Sequence, residues 1–317
     1  MKFSVKSIAF DILNSCNMRC NHCYKRNFDN VFLSKQDIDS FLYKIGQKHD
    51  ITNIVITGGE PLLHKEIDGL LKLLSDKEYN VRLNTNGILL LEHIDSFFDL
   101  SRFKIQISLD GYDNESYRDI RGVDRFEDVI RNAYTLKRLG FNTVFRTTLT
   151  KKTILEYKRF VEISEKLDIP LVMKPMIELH DDNKQDFMMT ISSLVEWYAQ
   201  VQNEGFEKYV EGSFMNSKYT CSLLKEEPVV SSFYVDTTGN IFPCLALQNR
   251  RFIVGNMYTY DDMEVSEKVY EIKDYLKKLL NIDKCVECGH RNIIGDGTCV
   301  AACFYGESAC LNSIVGE

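Results

Sequence analysis

Short apolar runs and longer amphipathic runs alternate through the first 176 residues, and this alternation limits the choice of fold more than any other pattern in the chain. We predict strands at 5–12, 53–57, 79–84, 104–108, 143–149 and 171–176, and helices at 34–48, 64–75, 91–98, 125–139 and 154–167. Strands that alternate with helices form a parallel sheet. Eight such units close a barrel, so six predict an α/β fold with an open, partial (β/α)6 TIM-like barrel.

Local signals mark several element ends. Ser34 with Asp37 is typical of a helix start, and Gly140 is typical of the position just after a helix end. Residues 192–206 read as a further helix, and residues 232–244 as a hairpin that turns at 237–240.

The chemistry-bearing residues follow the predicted strands. A cysteine loop follows the first strand, Gly58–Gly59–Glu60 the second and Asn86–Gly87 the third, while Ser108 ends the fourth. Because the carboxyl ends of parallel strands meet at one edge, we expect these segments to lie together and to form the functional face.

The cysteine loop has the spacing of an iron–sulfur site. Cys16, Cys20 and Cys23 can bind three irons of a [4Fe–4S] cluster and leave the fourth iron open for a small ligand. The alternative is a structural zinc site, which needs four ligands. His22 is the available fourth ligand, although it lies between two of the cysteines.

Composition excludes several classes of protein. A net charge of −7 argues against a nucleic-acid binder. The sequence has no apolar run long enough to span a membrane and no signal peptide, so we expect a cytoplasmic protein. In a reducing compartment its ten cysteines would serve as metal or cluster ligands rather than form disulfides.

The cysteine spacing, the segment Thr57–Pro61, the Asn86–Gly87 turn and the run Ser108–Gly111 together resemble the radical S-adenosylmethionine superfamily. The resemblance implies that Cys16, Cys20 and Cys23 bind the cluster that cleaves S-adenosylmethionine.

The same resemblance implies roles for seven residues in binding S-adenosylmethionine. His22 takes an aromatic position that contacts the adenine, and Ser108 contacts polar groups of the cofactor. Gly58, Gly59 and Glu60 would meet the methionine amino group. Arg121 and Arg146 either pair with the cofactor carboxylate or are solvated surface arginines. The sequence identifies no catalytic base.

The remaining seven cysteines resemble the SPASM extension, which carries two auxiliary [4Fe–4S] clusters. That pattern assigns three cysteines to auxiliary cluster I and four to auxiliary cluster II, and the alternative is zinc. The assigned ligands are Cys221, Cys244 and Cys303 for cluster I, and Cys285, Cys288, Cys299 and Cys310 for cluster II. The domains expected are a barrel at 1–190, a bridging helix and linker at 191–220, and a small cysteine-rich SPASM-type domain at 221–317.

The resemblance favours a maturase that crosslinks a ribosomally made precursor peptide through a thioether or carbon–carbon bond. Alternatives are oxidation or epimerisation of a peptide residue or a small molecule, and a non-catalytic electron carrier. Leu245 stands where sulfatase-type maturases carry an Asp base, which argues against that activity.

Partners follow from the same resemblance. We expect flavodoxin or ferredoxin as electron donor, and no nucleic acid or membrane. The chain begins close to the first strand, so leader binding would need a separate peptide-binding protein or a leaderless substrate.

The division of ten cysteines into three, three and four predicts about 12 irons per chain, from three four-iron clusters. Anaerobic reconstitution followed by iron and sulfide analysis measures this content. Stoichiometric zinc with only about four irons would contradict the SPASM interpretation.

Overall fold

All six predicted strands are present in the computed structural model of the protein, which describes residues 4–23, 25, 28–97, 100–176, 191–210, 223 and 230–279. Each strand end lies within two residues of its predicted position. The strands are β1 (Ser7–Asp11), β2 (Asn53–Thr57), β3 (Asn80–Thr85), β4 (Phe103–Ser108), β5 (Asn142–Leu149) and β6 (Leu171–Pro175).

These six strands form a continuous parallel sheet in chain order, as the alternation predicts. Strand β4 shows how the sheet is built: Phe103, Ile105 and Ile107 are fully buried, whereas Gln106 and Ser108 are partly exposed. Successive side chains of a strand point to opposite faces. One face of β4 therefore packs into the apolar core, and the other carries polar groups towards the open side.

Seven helices accompany the strands in the described ranges. They are α1 (Lys35–Gly46), α2 (Ile67–Asp76), α3 (Asn114–Arg121), α4 (Phe126–Arg138), α5 (Tyr157–Leu167), α6 (Ile191–Asn203) and α7 (Asp262–Leu279). The predicted start of α1 is confirmed, because Ser34 and Asp37 form a reciprocal capping box. Gly140 follows α4 with a φ of 87°, as predicted for a residue just after a helix end.

Among the helices, one prediction was wrong and one helix was not predicted. The run at 91–98 is a short 3₁₀ segment, Leu90–Ser96, interrupted by non-helical backbone at His93. Helix α3 was not predicted, although its signals are local: Asp113 and Ser116 form a capping box, and Gly122 ends the helix in the left-handed conformation. Its eight residues are too few to establish a clear apolar period, so the caps were the signal to use.

The predicted hairpin at 232–244 is present and extends the barrel sheet. Strand β7 (Ser232–Val235) lies parallel to β1, and β8 (Asn240–Phe242) and β9 (Gly255–Asn256) follow in antiparallel order. The sheet therefore has nine strands, and β1 lies between β2 and β7. Sequence patterns did not indicate this contact between the two ends of the chain.

The buried Asp11 carboxylate forms an ion pair with Lys25 and a hydrogen bond with β7. The Lys25 ammonium lies 2.7 Å from Asp11 Oδ1 and also donates to Asn14 Oδ1, at 2.7 Å. Tyr234 on β7 donates its hydroxyl to the other Asp11 oxygen, at 2.8 Å. Burial raises the pKa of Asp11, and the Lys25 ammonium opposes that shift. The pair thus holds the segment after the cysteines against the strand that precedes them.

Among the described residues, no helix combines the length and the apolar character needed to cross a bilayer.

Tyr234→Phe removes one donor from a buried carboxylate, and we expect it to lower the free energy of unfolding by about 1–3 kcal/mol. Tyr43→Phe is the matched control, since Tyr43 is 71% exposed. Urea unfolding of both variants measures the difference. Equal midpoints for the two variants would contradict a stabilising role for the Tyr234–Asp11 bond.

Candidate active site

The three cysteines of the first loop lie together after β1. All three are partly exposed, and the Cys23 amide donates to the Cys20 carbonyl at 3.1 Å. The Met18 amide donates to Cys16 Sγ at 3.4 Å. The loop therefore presents its thiols on one short turn, as a cluster-binding loop requires.

Burial, followed by the nearby charges of Glu60, Cys20 and Cys23, raises the pKa of Cys16 to about 11. The free thiol is therefore neutral at pH 7, and binding of iron has to displace its proton. No group of three His, Cys, Asp or Glu side chains in the described ranges converges as the ligands of a single ion would. A four-iron cluster takes each thiolate on a different iron, so its ligands need no such convergence.

Helix α3 supports the cysteine loop from one side. The Asn21 amide donates to the Ile120 carbonyl at 2.9 Å, and the Asn21 side chain donates to the Asp119 carbonyl at 2.7 Å. Both acceptors lie in the last turn of α3, where helix carbonyls have no partner within the helix. The loop therefore satisfies these carbonyls and takes its position from them.

Gly58 and Gly59 support the same loop from the other side. The Gly59 amide donates to the Leu13 carbonyl at 2.7 Å. A Cβ atom at Gly59 would lie 2.1 Å from the Ser15 carbonyl oxygen, and one at Gly58 would lie 2.7 Å from that of Leu13. Only residues without a Cβ permit this approach. In this structure the backbone that approaches the two glycines is that of the cysteine loop.

Glu60 is fully buried, and its carboxylate has three donors within the protein. Glu60 Oε1 accepts from Thr85 Oγ1 at 2.8 Å and from the Leu62 amide at 3.1 Å, and Oε2 accepts from the Asn86 amide at 2.7 Å. Burial raises the pKa of Glu60, and these donors oppose the shift. The side chain thus fastens the loop after β2 to the end of β3, and its contact with the methionine amino group stays a prediction.

Asp110, which follows β4, brings three parts of the site together. Its Oδ2 lies 2.9 Å from Arg121 Nε and 3.2 Å from His22 Nε2, and its Oδ1 accepts from the Thr148 amide at 2.7 Å. Burial alone would raise the pKa of Asp110, but the charges of Arg121 and His22 and the hydrogen bonds lower it to about 2. The carboxylate is therefore ionised at neutral pH and pairs with residues from the cysteine loop and from α3.

Arg121 also contacts a thiol. Its Nη1 donates to Cys20 Sγ at 3.3 Å. Burial opposes the charge of Arg121, but Asp110 and Cys20 raise its pKa above the ordinary value, so the guanidinium stays charged. The side chain of Arg121 is only 9% exposed, so it is not the solvated surface arginine that was the alternative, and its contact with a cofactor carboxylate stays a prediction.

Three buried polar atoms around Asp110 have no hydrogen-bond partner in the part of the chain that the structure describes. They are Arg121 Nη2, Tyr117 Oη and His22 Nδ1. Buried polar atoms without partners are costly and indicate a missing partner. Atoms of this kind beside three thiols fit an iron–sulfur cluster with a polar cofactor next to it.

Ser108 and Arg146 lie on neighbouring strands at the same level. The two residues are partners in the register of β4 and β5, and both are partly exposed. Gln106, on the same face as Ser108, donates to Asn84 Oδ1 on β3 at 3.0 Å. The open face of the sheet thus carries a polar row, which suits the predicted contacts of Ser108 and Arg146 with a polar cofactor.

Of the cysteines predicted to bind auxiliary clusters, the structure describes Cys244, which follows β8 and is half-buried. The others lie outside the described residues, so their ligand assignments remain predictions. They are Cys221, Cys285, Cys288, Cys299, Cys303 and Cys310.

Sequence reasoning missed Asp110, Lys25 and Asp11 as individual residues of the site. The sequence pattern included Asp110 in the run Ser108–Gly111 but gave it no role of its own. A charged residue at the end of an apolar strand, as at Asp11 and Asp110, is the signal that could have identified two of them.

Gly59→Ala should displace the cysteine loop, because the new Cβ meets backbone rather than a flexible side chain. We expect the loss of about four irons per chain, the content of one cluster. Gly46→Ala is the control, since nothing lies within 4 Å of a Cβ added there. Full iron content in the Gly59 variant would show that the close approach is not needed for cluster binding.

Comparisons with known proteins give a family match for part of the chain and a shared fold for most of it. The model of the radical SAM superfamily matches residues 11–163. A probable GTP 3′,8-cyclase of Saccharolobus islandicus is 28% identical over 180 residues, which are 56% of this chain and 58% of the relative. The GTP 3′,8-cyclase of Staphylococcus carnosus is 25% identical over 215 residues, 63% of this chain and 62% of the relative. The alignments thus cover less than two thirds of these relatives.

Two solved structures resemble the whole chain in shape. Streptococcus suis SuiB, bound to its precursor peptide SuiA, has a TM-score of 0.74 at 17% identity and covers 92% of this chain and 71% of its own. The protein anSMEcpe, with bound AdoMet and a peptide, has a TM-score of 0.71 at 16% identity and covers 99% of this chain and 98% of its own. These likenesses establish a shared fold. The segment that matches the radical SAM superfamily, residues 11–163, is just under half of the chain and holds the three thiols, the glycine pair, Asp110 and Arg121.

Proposed function

We propose that this protein abstracts hydrogen from a ribosomally synthesised peptide and so forms an oxidative crosslink, either a thioether or a carbon–carbon bond. The observation that carries the proposal is the extent of the structural likeness. Two proteins whose structures contain a bound peptide match 92% and 99% of this chain, well beyond the segment that the family model matches.

The chain's own residues supply the binding and the shielding. Cys16, Cys20 and Cys23 hold a [4Fe–4S] cluster, and a bound S-adenosylmethionine supplies the 5′-deoxyadenosyl radical when the cluster is reduced. Ser108 and Arg146 contact the cofactor from the open face of the sheet, and Gly58, Gly59 and Glu60 shape the backbone beside the thiols.

His22 serves the adenine end of the cofactor. Its Nε2 lies next to Asp110, which leaves Nδ1 buried and without a partner in the described part of the chain. A purine offers both donors and acceptors on its edge, so a free ring nitrogen suits it.

The C-terminal cysteines supply the electron acceptor in this proposal. A crosslink removes two hydrogens from the peptide: one hydrogen atom leaves as part of 5′-deoxyadenosine, and the other leaves as a proton and an electron. An auxiliary [4Fe–4S] cluster held by the cysteines of a domain at 221–317 would supply the acceptor for that electron, and a flavodoxin or ferredoxin would supply the electron for the first cluster.

GTP 3′,8-cyclisation is the second candidate function. The curated relatives with this name share 25–28% of their aligned residues with this chain over more than half of its length. This similarity covers a region of the size of the barrel, which carries the chemistry common to both candidates.

The two candidates are distinguished by adding either GTP or a synthetic peptide translated from a short reading frame beside the gene to the reduced, reconstituted protein. We expect 5′-deoxyadenosine to form in step with a peptide that is lighter by about two mass units, as removal of two hydrogens requires. Consumption of GTP with no change in the peptide would favour the cyclase. A peptide whose mass is unchanged in ordinary water, but which gains one deuterium when the reaction runs in heavy water, would indicate epimerisation.

Cys20→Ala should abolish cleavage of S-adenosylmethionine, because two thiols are too few to hold the cluster. Cys288→Ala is the matched variant, since the resemblance places Cys288 on an auxiliary cluster, and we expect it to retain uncoupled cleavage. Chromatography of 5′-deoxyadenosine after dithionite reduction measures both. Equal yields from the wild type and the Cys20 variant would contradict the assignment of the first loop.

A further inference from the structure

The guanidinium of Arg121 lies between a thiol and a carboxylate in a place closed to solvent. Its Nη1 donates to Cys20 Sγ at 3.3 Å, and its Nε lies 2.9 Å from Asp110 Oδ2. The side chains of Arg121 and Asp110 are only 9% and 3% exposed. Water therefore does little to screen the charges of these two groups from the thiol.

A charge at this distance acts differently on the two oxidation states of a cluster. Reduction adds one negative charge to the cluster and its thiolate ligands, and a nearby cation or N–H donor stabilises the more negative state. Arg121 therefore favours the reduced cluster, and Asp110 opposes it. Because both groups are buried, the two effects are larger than those of surface charges.

We propose that Arg121 sets the reduction potential of the cluster held by Cys16, Cys20 and Cys23, and that Asp110 both positions the guanidinium and offsets part of its charge. The inference rests on the proposed cluster at these thiols. It assigns Arg121 to the cluster rather than to the cofactor carboxylate.

Three hydrogen bonds and ion pairs explain how Asp110 positions Arg121. The Thr148 amide donates to Asp110 Oδ1 and fixes the carboxylate to β5, while His22 and Arg121 share Oδ2. The cation beside Cys20 is thus held by β5 through Asp110 as well as by its own helix. These two attachments hold Arg121 Nη1 within hydrogen-bond distance of Cys20 Sγ.

Opposite charges predict opposite shifts, and this sign difference separates an electrostatic role from a merely structural one. Arg121→Met removes the cation and the donor to Cys20, so the cluster should become harder to reduce. Asp110→Asn removes the anion but keeps an acceptor for the Thr148 amide. Because Arg121 stays on its own helix beside Cys20, we expect the loss of the negative charge to outweigh the loss of positioning, so the cluster should become easier to reduce.

Arg118→Met is the matched control. Arg118 lies on the same helix three residues earlier, is 55% exposed and pairs with Asp124 at 3.8 Å. Its removal takes one arginine from α3 without changing the surroundings of the thiols, so the potential should stay at the wild-type value.

The experiment is a redox titration of the reconstituted holoprotein, followed by electron paramagnetic resonance. Addition of S-adenosylmethionine identifies the three-cysteine cluster, because only the signal of that cluster responds. We expect Arg121→Met to lower the ratio of reduced to oxidised cluster at a fixed potential by about tenfold, equivalent to about 59 mV for one electron. Asp110→Asn should raise that ratio.

Shifts of the same sign in both variants, or no shift in either, would overturn the proposal. If Arg121→Met fails to retain its cluster, Asp110→Asn alone decides: an easier reduction supports the proposal, and an unchanged or harder reduction overturns it. A wild-type protein with no cluster that responds to S-adenosylmethionine would instead contradict the proposed function. A responding cluster that ignores both substitutions contradicts this inference alone.

Discussion

The Asp110 carboxylate carries its charge in a place that is almost closed to water, and a buried charge is stable only with nearby partners. Its partners come from three separate segments: the Thr148 amide on β5, Arg121 at the end of α3 and His22 in the cysteine loop. The need to satisfy one carboxylate thus fixes the relative position of a strand, a helix and the loop with the thiols. Helix α3 also anchors that loop through its last carbonyls, so the two interactions reinforce each other.

Buried carboxylates paired with donors from other segments also occur at two other strands. Asp11 at the end of β1 pairs with Lys25 and Tyr234, and Glu60 after β2 pairs with donors at the end of β3. In both cases a buried carboxylate at the carboxyl end of one strand is hydrogen-bonded to a neighbouring strand: Asp11 to β7, and Glu60 to the end of β3. Removing one partner leaves an unpaired buried charge, which is strongly destabilising. These contacts therefore stabilise the segments at the carboxyl ends of the strands, where the site lies.

Similarity in sequence and similarity in structure extend over different lengths of the chain. The sequence relatives share a segment about the size of the barrel, whereas the structural relatives share nearly the whole shape at 16–17% identity. Burial and backbone pairing keep a fold while sequences diverge, and function depends on the few residues of the site. The similarity in sequence is therefore confined to a segment about the size of the barrel, and the likeness in shape extends beyond it.

The sequence by itself determined the six parallel strands, the capped start of α1, the thiol spacing and the glycine pair, because each depends on neighbours within a few residues. It could not determine that Glu60 accepts hydrogen bonds from the end of β3, that Arg121 contacts Cys20 or that Lys25 and Tyr234 both contact Asp11. Arg121 is 101 residues from Cys20, and Tyr234 is 223 residues from Asp11. Such partners meet only when the strands have assembled, since the parallel sheet brings the carboxyl ends of β1, β2 and β4 to one edge. The tertiary structure therefore decided which charges share a buried site, and that choice sets the electrostatics around the thiols.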